Sequence, residues 1–372
     1  MTPIYFDHAA TTRVRPEVIA EISRVLHEDF GNPSSTHVFG RQAKNTLELA
    51  RKSIARQLGC AAQEILFTSG GTEADNWILR QAVLGGVRRI ITSKIEHHAI
   101  LYTVQALELK ERIEVDYVRI LSNGCIDYVH LEELLARPVQ TLVTLMHVNN
   151  ETGTVTDLER VGRLCHSHGA LFHSDTIQSV GKTEFNLAAL PVDFLSASAH
   201  KFHGPKGVGF AYVKKGLAIR PIIFGGEQEK GLRAGTEAVH NIAGMARALE
   251  LSYAHLDVER QHISELRDYA LARLQEELPG TTVNGTENFY NILNVCLPIA
   301  QEKAAMLLFH LDMKGIAVSR GSACQSGSPK PSHVLAEFLA EDDLRKPSVR
   351  ISFSHENTRE EVDRLVEALL SV

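Results

Sequence analysis

The segment TLVTLMHV (141–148) opens the stretch that decides the fold, and it is followed by LERVGRLCHSHG (158–169), LFHSD (171–175), FLSASAH (194–200) and GFAYV (209–213). Four of these segments are short and apolar, whereas the second has the apolar spacing of an amphipathic helix. The same alternation begins upstream with EILFT (64–68) and RRIITS (88–93). This rhythm predicts an α/β protein with a mostly parallel sheet covered by helices on both faces.

A second, smaller α/β unit is predicted towards the C-terminus. Residues 242–278 have helical periodicity up to the stop signal Pro279-Gly280, which predicts one long helix leading out of the first unit. Strand-like and helical segments follow, and the last helix is predicted to begin with a capping box of Thr358 and Glu361. We therefore expect a large domain over residues 14–250 and a small domain made of residues 1–13 and 251–372.

Composition excludes several classes of protein. The 372 residues carry a formal net charge of −6, which argues against a nucleic-acid binder. No apolar run approaches the length of a membrane span, and the N-terminal MTPIYFDHAATTRVRP lacks the apolar region of a secretory signal. The five cysteines are odd in number and include no Cys-x-x-Cys pair, which argues against a disulfide framework and a zinc knuckle. We expect a cytoplasmic protein that contacts neither membrane nor nucleic acid.

Two polar residues at predicted strand ends suggest cofactor chemistry. Lys201 follows an apolar strand in SASAHKFHGPKGVGF, and Asp175 ends the strand LFHSD. Taken singly, each has an ordinary interpretation as a solvated loop lysine and a turn aspartate. Together they supply what pyridoxal phosphate needs, namely an amine for a Schiff base and an anion beside the pyridine nitrogen. Because ligands of such sheets lie beyond the carboxyl ends of the strands, both residues are well placed.

Other motifs are weaker taken alone. TSGGTEADN (68–76) passes from a strand through a glycine turn into a helix, which suits a phosphate but also suits a plain turn. His97 and His98 follow another strand, so at least one imidazole should lie at the sheet edge. A metal site there is disfavoured, because adjacent histidines point in different directions on a helix. The cluster Cys165-His166-x-His168 is interpreted as structural, with Cys165 in the core.

Ten ordered motifs together resemble the cysteine desulfurases of the NifS and IscS type, in the class V aminotransferase-like group of fold-type I pyridoxal-phosphate enzymes. They are YFDHAATT, GNPSSTHVFGRQA, TSGGTEADN, EHHAI, MHVNNETGT, HSDTIQSVGK, SASAHKFHGPKG, GGEQEKGLRAGTE, SRGSACQSG and SVRISFS. The resemblance spans nearly the whole chain. It implies a seven-stranded, mostly parallel sheet in the large domain, a homodimer, and release of alanine from L-cysteine.

The resemblance also assigns roles to residues of this sequence. Lys201 becomes the Schiff-base lysine, Asp175 the partner of the pyridine nitrogen, and His97 the residue that stacks on the ring and shuttles protons. The remaining cofactor contacts implied are Gly71, Thr72, Asn150, Gln178, Ser198 and His200, with Thr236 reaching the phosphate of the neighbouring subunit. Arg350 would pair with the substrate carboxylate, assisted by Asn32 and Asn150, since a guanidinium binds a carboxylate with two hydrogen bonds.

Cys324 is the residue expected to carry the sulfur as a persulfide. It lies in RGSACQSGSPKPS, a Gly- and Ser-rich loop sequence of the kind that runs over protein surfaces, where a reactive cysteine is exposed. An acceptor thiol or an iron–sulfur scaffold would then take the sulfur. Three alternatives stay open: a selenocysteine lyase, an aminotransferase-like enzyme acting on another amino acid, and a non-catalytic scaffold that kept the fold.

Overall fold

The computed structural model describes residues 2–286, 288–300, 306–320 and 332–372. The loop that contains Cys324 lies outside the described residues. The described strands are β1 (Ile4–Tyr5), β2 (Ile65–Thr68), β3 (Arg89–Ser93), β4 (Glu114–Val118), β5 (Thr141–Thr144), β6 (Leu171–Asp175), β7 (Phe194–Ser198), β8 (Gly209–Val213), β9 (Thr282–Val283), β10 (Ile292–Cys296), β11 (Ile316–Ala317) and β12 (Ser348–Ser352). The described helices are α1 (Pro16–Glu28), α2 (Val38–Gln57), α3 (Gly71–Leu84), α4 (His98–Glu111), α5 (Tyr128–Leu135), α6 (Leu158–Ser167), α7 (Val239–Ala254), α8 (Leu256–Glu277), α9 (Leu307–Met313), α10 (Glu341–Leu344) and α11 (Arg359–Leu370).

The main sheet confirms the predicted fold class. Within the described residues it has seven strands in the order β2-β8-β7-β6-β5-β3-β4. Strands β3 to β7 run parallel, whereas β8 is antiparallel to both of its neighbours. Strand β2 therefore points the same way as β7, and six of the seven strands end at one edge. Polar residues that follow those strands meet there.

Residues 242–278 do not form the single long helix that we predicted. Helix α7 ends at Ala254, and α8 begins at Leu256 after a break at His255. No Gly or Pro marks this position, so the sequence carries no conventional stop signal there. The break lets α7 pack on α1 and α2 while α8 packs on α11.

The smaller unit has its own core. Ile4 and Phe6 pack with buried residues from 263 onward, including Val349 and Leu365, whereas the main sheet has separate clusters. The predicted capping box is confirmed, because Thr358 and Glu361 exchange hydrogen bonds at 3.2 and 3.3 Å. Across the described ranges, no helix has both the length and the apolar character needed to cross a membrane.

Candidate active site

A cavity of about 240 Å³ lies at the carboxyl edge of the main sheet. Of the residues singled out from the sequence, ten line it: Gly71, Thr72, His97, Asn150, Asp175, Gln178, Ser198, His200, Lys201 and Arg350. The strand ends predicted to converge do converge, because parallel register places their last residues side by side.

One end of the cavity is shaped for an anion. Strand β2 leads through Gly70 into α3, whose first turn carries Gly71 and Thr72. A Cβ at Gly71 would lie 2.0 Å from Cδ1 of Ile177, so a larger residue here would require the end of that side chain to shift. The exposed N–H groups and positive dipole of a helix N-terminus favour a phosphate, and Ser198 adds a hydroxyl.

Asp175 supplies a buried negative charge at the end of β6. Burial raises the pKa of Asp175 to about 6, although the hydrogen bond from the backbone of Ile177 and the charge of Lys201 oppose that rise. The Ile177 N–H donates to Oδ1 at 2.9 Å. Asp175 is thus anionic above pH 6 and matches a protonated ring nitrogen.

His97 is held as a neutral ring at the N-terminus of α4. Its Nδ1 accepts a hydrogen bond from the backbone N–H of Ala99 at 3.1 Å, which leaves the proton on Nε2. Burial and, secondarily, the charge of Lys201 lower the pKa of His97 to about 4. An uncharged imidazole that lines the cavity suits stacking on a planar ligand.

Lys201 reaches across the cavity to the N-terminal segment, which we define as residues 7–12. Its Nζ donates to the carbonyls of Ala9 at 2.6 Å and Ala10 at 2.9 Å. The side-chain amide of Gln178 also donates to the Ala9 carbonyl, at 2.9 Å. The Gln178 Oε1 atom is buried without a protein partner and is therefore left to accept a hydrogen bond from a ligand.

Arg350 enters from β12 in the smaller unit. Its guanidinium donates from Nη1 to the Asn150 carbonyl at 2.6 Å and from Nη2 to Oδ1 of Asp7 at 2.7 Å. The residue is 1% exposed, and its Nε has no protein partner. A buried guanidinium with remaining donors at a cavity wall suits a carboxylate ligand.

Two residues predicted for the site, Asn32 and Thr236, do not line this cavity. Asn32 is exposed, and its side chain accepts from the backbone N–H of Ser34 at 2.9 Å. Thr236 is exposed in the segment before α7. Cys324 lies outside the described residues, so its role stays a prediction.

The cysteines that the structure describes are absent from the cavity lining. Burial raises the pKa of Cys60 to about 12 and raises the pKa values of Cys165 and Cys296 above their ordinary range. These three thiols are therefore poor nucleophiles at neutral pH. Cys165 is fully buried in α6, as predicted for a core residue.

Sequence reasoning missed the wall that the N-terminal segment builds. Asp7, Ala9 and Ala10 were given no role, although YFDHAATT was noted as a motif. Two of the three act through backbone carbonyls, which have no signature in residue type. Three apolar residues, Met146, Val148 and Ile177, also line the cavity and were missed. The described residues contain no group of three or more His, Cys, Asp or Glu able to hold a metal ion.

The residues present fit the pyridoxal phosphate that the resemblance implies. The glycine turn would hold the phosphate, Asp175 would partner the ring nitrogen, and Lys201 would supply the amine. The buried Gln178 oxygen without a protein partner would accept a hydrogen bond from a ligand placed there.

Comparison with known proteins agrees with this geometry. The model of the aminotransferase class-V family matches residues 4–365. The chain is 39% identical to the cysteine desulfurase IscS of Dictyoglomus turgidum over 369 residues, covering 98% of this chain and 93% of that protein. A solved NifS-like protein superposes with a TM-score of 0.92 at 37% identity, covering 100% of this chain and 99% of the other. The structure of SspA in complex with cysteine superposes with a TM-score of 0.82 at 31% identity, covering 95% and 100%.

Proposed function

Because the chain belongs to the aminotransferase class-V family, we propose that it is a pyridoxal-phosphate-dependent cysteine desulfurase, which converts L-cysteine to L-alanine and passes the sulfur on. Support comes from relatives named cysteine desulfurase that match nearly its full length, and from a structural neighbour solved with cysteine. Full-length coverage means that both the sheet-edge residues and the smaller unit have counterparts in those proteins.

The observation that carries the proposal is the arrangement of three charges around one cavity. Lys201 and Asp175 lie at the strand ends, and Arg350 enters from the smaller unit. An amino-acid substrate has an amine for the cofactor side and a carboxylate for Arg350, so the three charges can fix its orientation. Pyridoxal phosphate, when bound, supplies an electron sink for the negative charge left at the substrate's Cα.

Lys201 holds and moves the proton in this scheme. With the substrate amine in place of Lys201 on the cofactor, the Lys201 amine can act as the general base at Cα. The carbonyls of Ala9 and Ala10 can accept hydrogen bonds from the displaced amine, as they do in the structure at 2.6 and 2.9 Å from Nζ. His97 stays uncharged near pH 7 and covers the ring face.

Cys324 accepts the sulfur in the proposed reaction. Its thiolate attacks Sγ of the substrate, so an S–S bond forms while the Cβ–Sγ bond breaks. The electron pair of the broken bond stays with carbon, which takes up a proton and leaves as alanine. The sum is L-cysteine plus the Cys324 thiol giving L-alanine plus the Cys324 persulfide. A second thiol then removes the sulfur.

The proposed function is tested by measuring sulfide and alanine together from the cofactor-loaded protein with L-cysteine and a reductant. We expect equal amounts of both products, abolished in Cys324→Ala. Cys125→Ala is the matched control, because that partly exposed cysteine lies outside the cavity lining, and we expect full activity from it. Absence of both products from the loaded wild-type protein would overturn the proposal.

The three alternatives left open by the sequence are distinguished by changing the substrate or by reading cofactor absorbance. A selenocysteine lyase would release selenide from L-selenocysteine while leaving L-cysteine unchanged. An aminotransferase-like enzyme would convert another amino acid without any need for Cys324. A non-catalytic scaffold would show no cofactor absorbance even after pyridoxal phosphate is added.

We further propose a homodimer in which Thr236 of each subunit serves the site of the other. The chain that leads to Thr236 is held to the large unit by two ion pairs. Glu229 pairs with Arg51 at 2.7 Å, and Arg233 pairs with Glu73 at 2.8 Å. Mixing inactive Lys201→Ala and Thr236→Val subunits should restore activity, because the mixed dimer has one site with both residues intact. No gain on mixing would contradict the shared site.

The division into a large domain (14–250) and a small domain (1–13 and 251–372) is part of the proposal, and the separate core of the smaller unit supports it. A cytoplasmic location is proposed as well, since a reducing compartment keeps a nucleophilic thiol available. For the sulfur acceptor we propose a carrier thiol or an iron–sulfur scaffold protein. Mass spectrometry of candidate acceptors after incubation with L-cysteine and the loaded protein, read as the mass of one added sulfur atom, tests this transfer.

A further inference from the structure

The backbone of Arg350 is fixed on both sides, so its side-chain torsions decide where its charge points. Arg350 pairs with Asn294 in the small sheet. On its other side it exchanges two backbone hydrogen bonds with Ser319, at 2.7 and 3.2 Å. A guanidinium on a fixed backbone still sweeps a wide arc, because four side-chain torsions remain. Partners of the guanidinium must therefore set its direction.

Two described partners hold the guanidinium, and they differ in kind. The Asn150 carbonyl is a neutral acceptor at 2.6 Å, and Asp7 is a charged one at 2.7 Å. Both bonds are strengthened by the charge of the guanidinium, but only Asp7 adds the attraction of an opposite charge, so Asp7 contributes more to the orientation. The pair is also well shielded from water, with side chains 1% and 17% exposed.

Asp7 is itself held in place by a turn. Its carbonyl accepts hydrogen bonds from the backbone of Ala10 at 2.9 Å and from the hydroxyl of Tyr5 at 3.1 Å. Ser352, two residues after Arg350, donates its backbone N–H to the carbonyl of Phe6, the residue before Asp7, at 2.7 Å. Asp7 and Arg350 are thus presented to each other by backbone that is already paired.

We propose that Asp7 is a positioning residue for recognition of the substrate carboxylate. It holds one nitrogen of Arg350 so that the remaining donors stay directed at the cavity, and it neutralises the buried cation before substrate arrives. The inference deepens the proposed function, on which it rests for the identity of the carboxylate ligand. Asp7 touches neither the reacting atoms nor the ligand and acts through Arg350.

The test compares two ligands that differ only in the carboxylate. L-Alanine and ethylamine each bring an amine, and their dissociation constants are measured from the absorbance change of the cofactor-loaded protein. The readout is carboxylate preference, the ratio of the ethylamine constant to the alanine constant. A general loss of folding or cofactor affinity would move both constants and leave this ratio unchanged.

We expect Asp7→Ala to reduce carboxylate preference at least fivefold, and the KM for L-cysteine to rise by a similar factor while kcat stays within threefold. Asp7→Asn keeps an acceptor oxygen at the same position but loses the charge, so we expect a smaller reduction than in Asp7→Ala. If Asp7→Ala fails to fold, Asp7→Ser takes its place, since its hydroxyl cannot reach Arg350. Arg15→Gln is the control on the same stretch of chain, because Arg15 pairs with Glu259 at 2.6 Å and does not line the cavity.

A reduction smaller than fivefold in Asp7→Ala, or an increase in carboxylate preference, would overturn the inference; an increase would mean that Asp7 competes with the ligand. This outcome is distinct from failure of the proposed function. A protein that binds alanine but releases no sulfide from L-cysteine would contradict the desulfurase assignment while the Asp7 test still stands.

Discussion

The two walls of the cavity are built on opposite principles. The strand-end wall, which we define as His97, Asn150, Asp175, Ser198 and Lys201, presents side chains from the carboxyl edge of one sheet. The N-terminal wall, formed by residues 7–12, presents the backbone carbonyls of Ala9 and Ala10, and through Asp7 it orients Arg350. The first wall carries reactive groups, whereas the second directs cations that other elements supply.

The walls also differ in how burial treats charge. Behind the strand-end wall, burial raises the pKa of Glu96 to about 8 and raises that of Asp75 well above its usual range. Among these buried carboxyls, Asp175 is the one that ionises readily near pH 7. Within the N-terminal wall burial lowers the pKa of His8 to about 3, and behind that wall it lowers the pKa of Lys182 to about 7. The sheet edge thus concentrates its negative charge at Asp175, while on the other side burial disfavours the charged forms of the bases.

Replacing the amine of the strand-end wall should have the largest effect. We expect Lys201→Ala to lose desulfurase activity by at least the 10²–10⁴-fold typical of a positioned general base. Cofactor should also be removed by gel filtration, since its covalent attachment point is gone. Lys206→Ala is the matched control, because Lys206 is exposed five residues later. Retained activity in Lys201→Ala would show that the reaction does not depend on the amine of the strand-end wall.

Removing the charge of Asp175 should have the next largest effect. Asp175→Asn keeps an oxygen for the backbone of Ile177 but no longer favours the protonated ring nitrogen. Because an adjacent charge shifts a pKa by about 1–3 units, we expect activity to fall roughly 10–1,000-fold. The titration of the ring nitrogen, followed by cofactor absorbance, should shift to lower pH. As a control, Asp193→Asn removes a buried carboxylate outside the cavity lining and should affect stability rather than that titration.

The contrast between the walls also marks what sequence could predict. Asp175 and Lys201 were found because parallel strands bring their ends to one edge, a rule that needs no contact information. Ala9 and Ala10 act through carbonyls, and Asp7 acts on a residue 343 positions away. No local pattern encodes such contacts. The break at His255 was missed for a related reason, since packing of α7 and α8 on different partners interrupts a sequence that reads as continuous helix.

Asn32 and Thr236 mark a second limit. Their roles came from resemblance alone, and the structure of one chain places both at its surface. If the proposed dimer forms, residues at that surface complete a site that a single chain leaves open. Sequence motifs can identify such residues, whereas the folded single chain does not test them.

Lys182 offers a stability test of the region behind the N-terminal wall. Its Nζ donates to the Gln178 carbonyl at 3.3 Å, and burial lowers its pKa to about 7 from an ordinary 10.5. Between these values the unfolded chain binds more protons, so wild-type stability rises with pH and the full cost of the buried amine applies below pH 7. Lys182→Met should therefore raise the free energy of unfolding at pH 6, by an amount on the order of a few kcal/mol.

That gain should shrink as pH rises from 7 towards 10.5, because the cost of losing the amine's proton on folding falls over that range. Urea denaturation at pH 6 and pH 9.5 measures the difference. Lys206→Met, at an exposed lysine, should show no such pH dependence. A gain in Lys182→Met that is equal at the two pH values would mean that burial of the neutral amine, and not burial of its charge, sets the cost in the wild type.

Arg15→Gln should have the smallest effect and sharpens the comparison most directly. Arg15 follows the N-terminal segment and anchors it to α8 through Glu259, with two hydrogen bonds at 2.6 and 2.8 Å. Loss of bonds between charged groups should lower the free energy of unfolding by about 1.5–3 kcal/mol. Arg13→Gln removes a neighbouring contact to Glu356 at 3.9 Å that is largely exposed, so we expect a change below about 1 kcal/mol.

Carboxylate preference separates anchoring from positioning within this wall. If the wall orients Arg350 through Asp7, Arg15→Gln should destabilise the fold and still discriminate alanine from ethylamine as the wild type does. The turn that holds Asp7 is closed by Tyr5 and Ala10, neither of which contacts Arg15 through a described hydrogen bond. Lost discrimination in Arg15→Gln would show that the segment moves as one body, and the orientation of Arg350 would then belong to the whole wall rather than to Asp7.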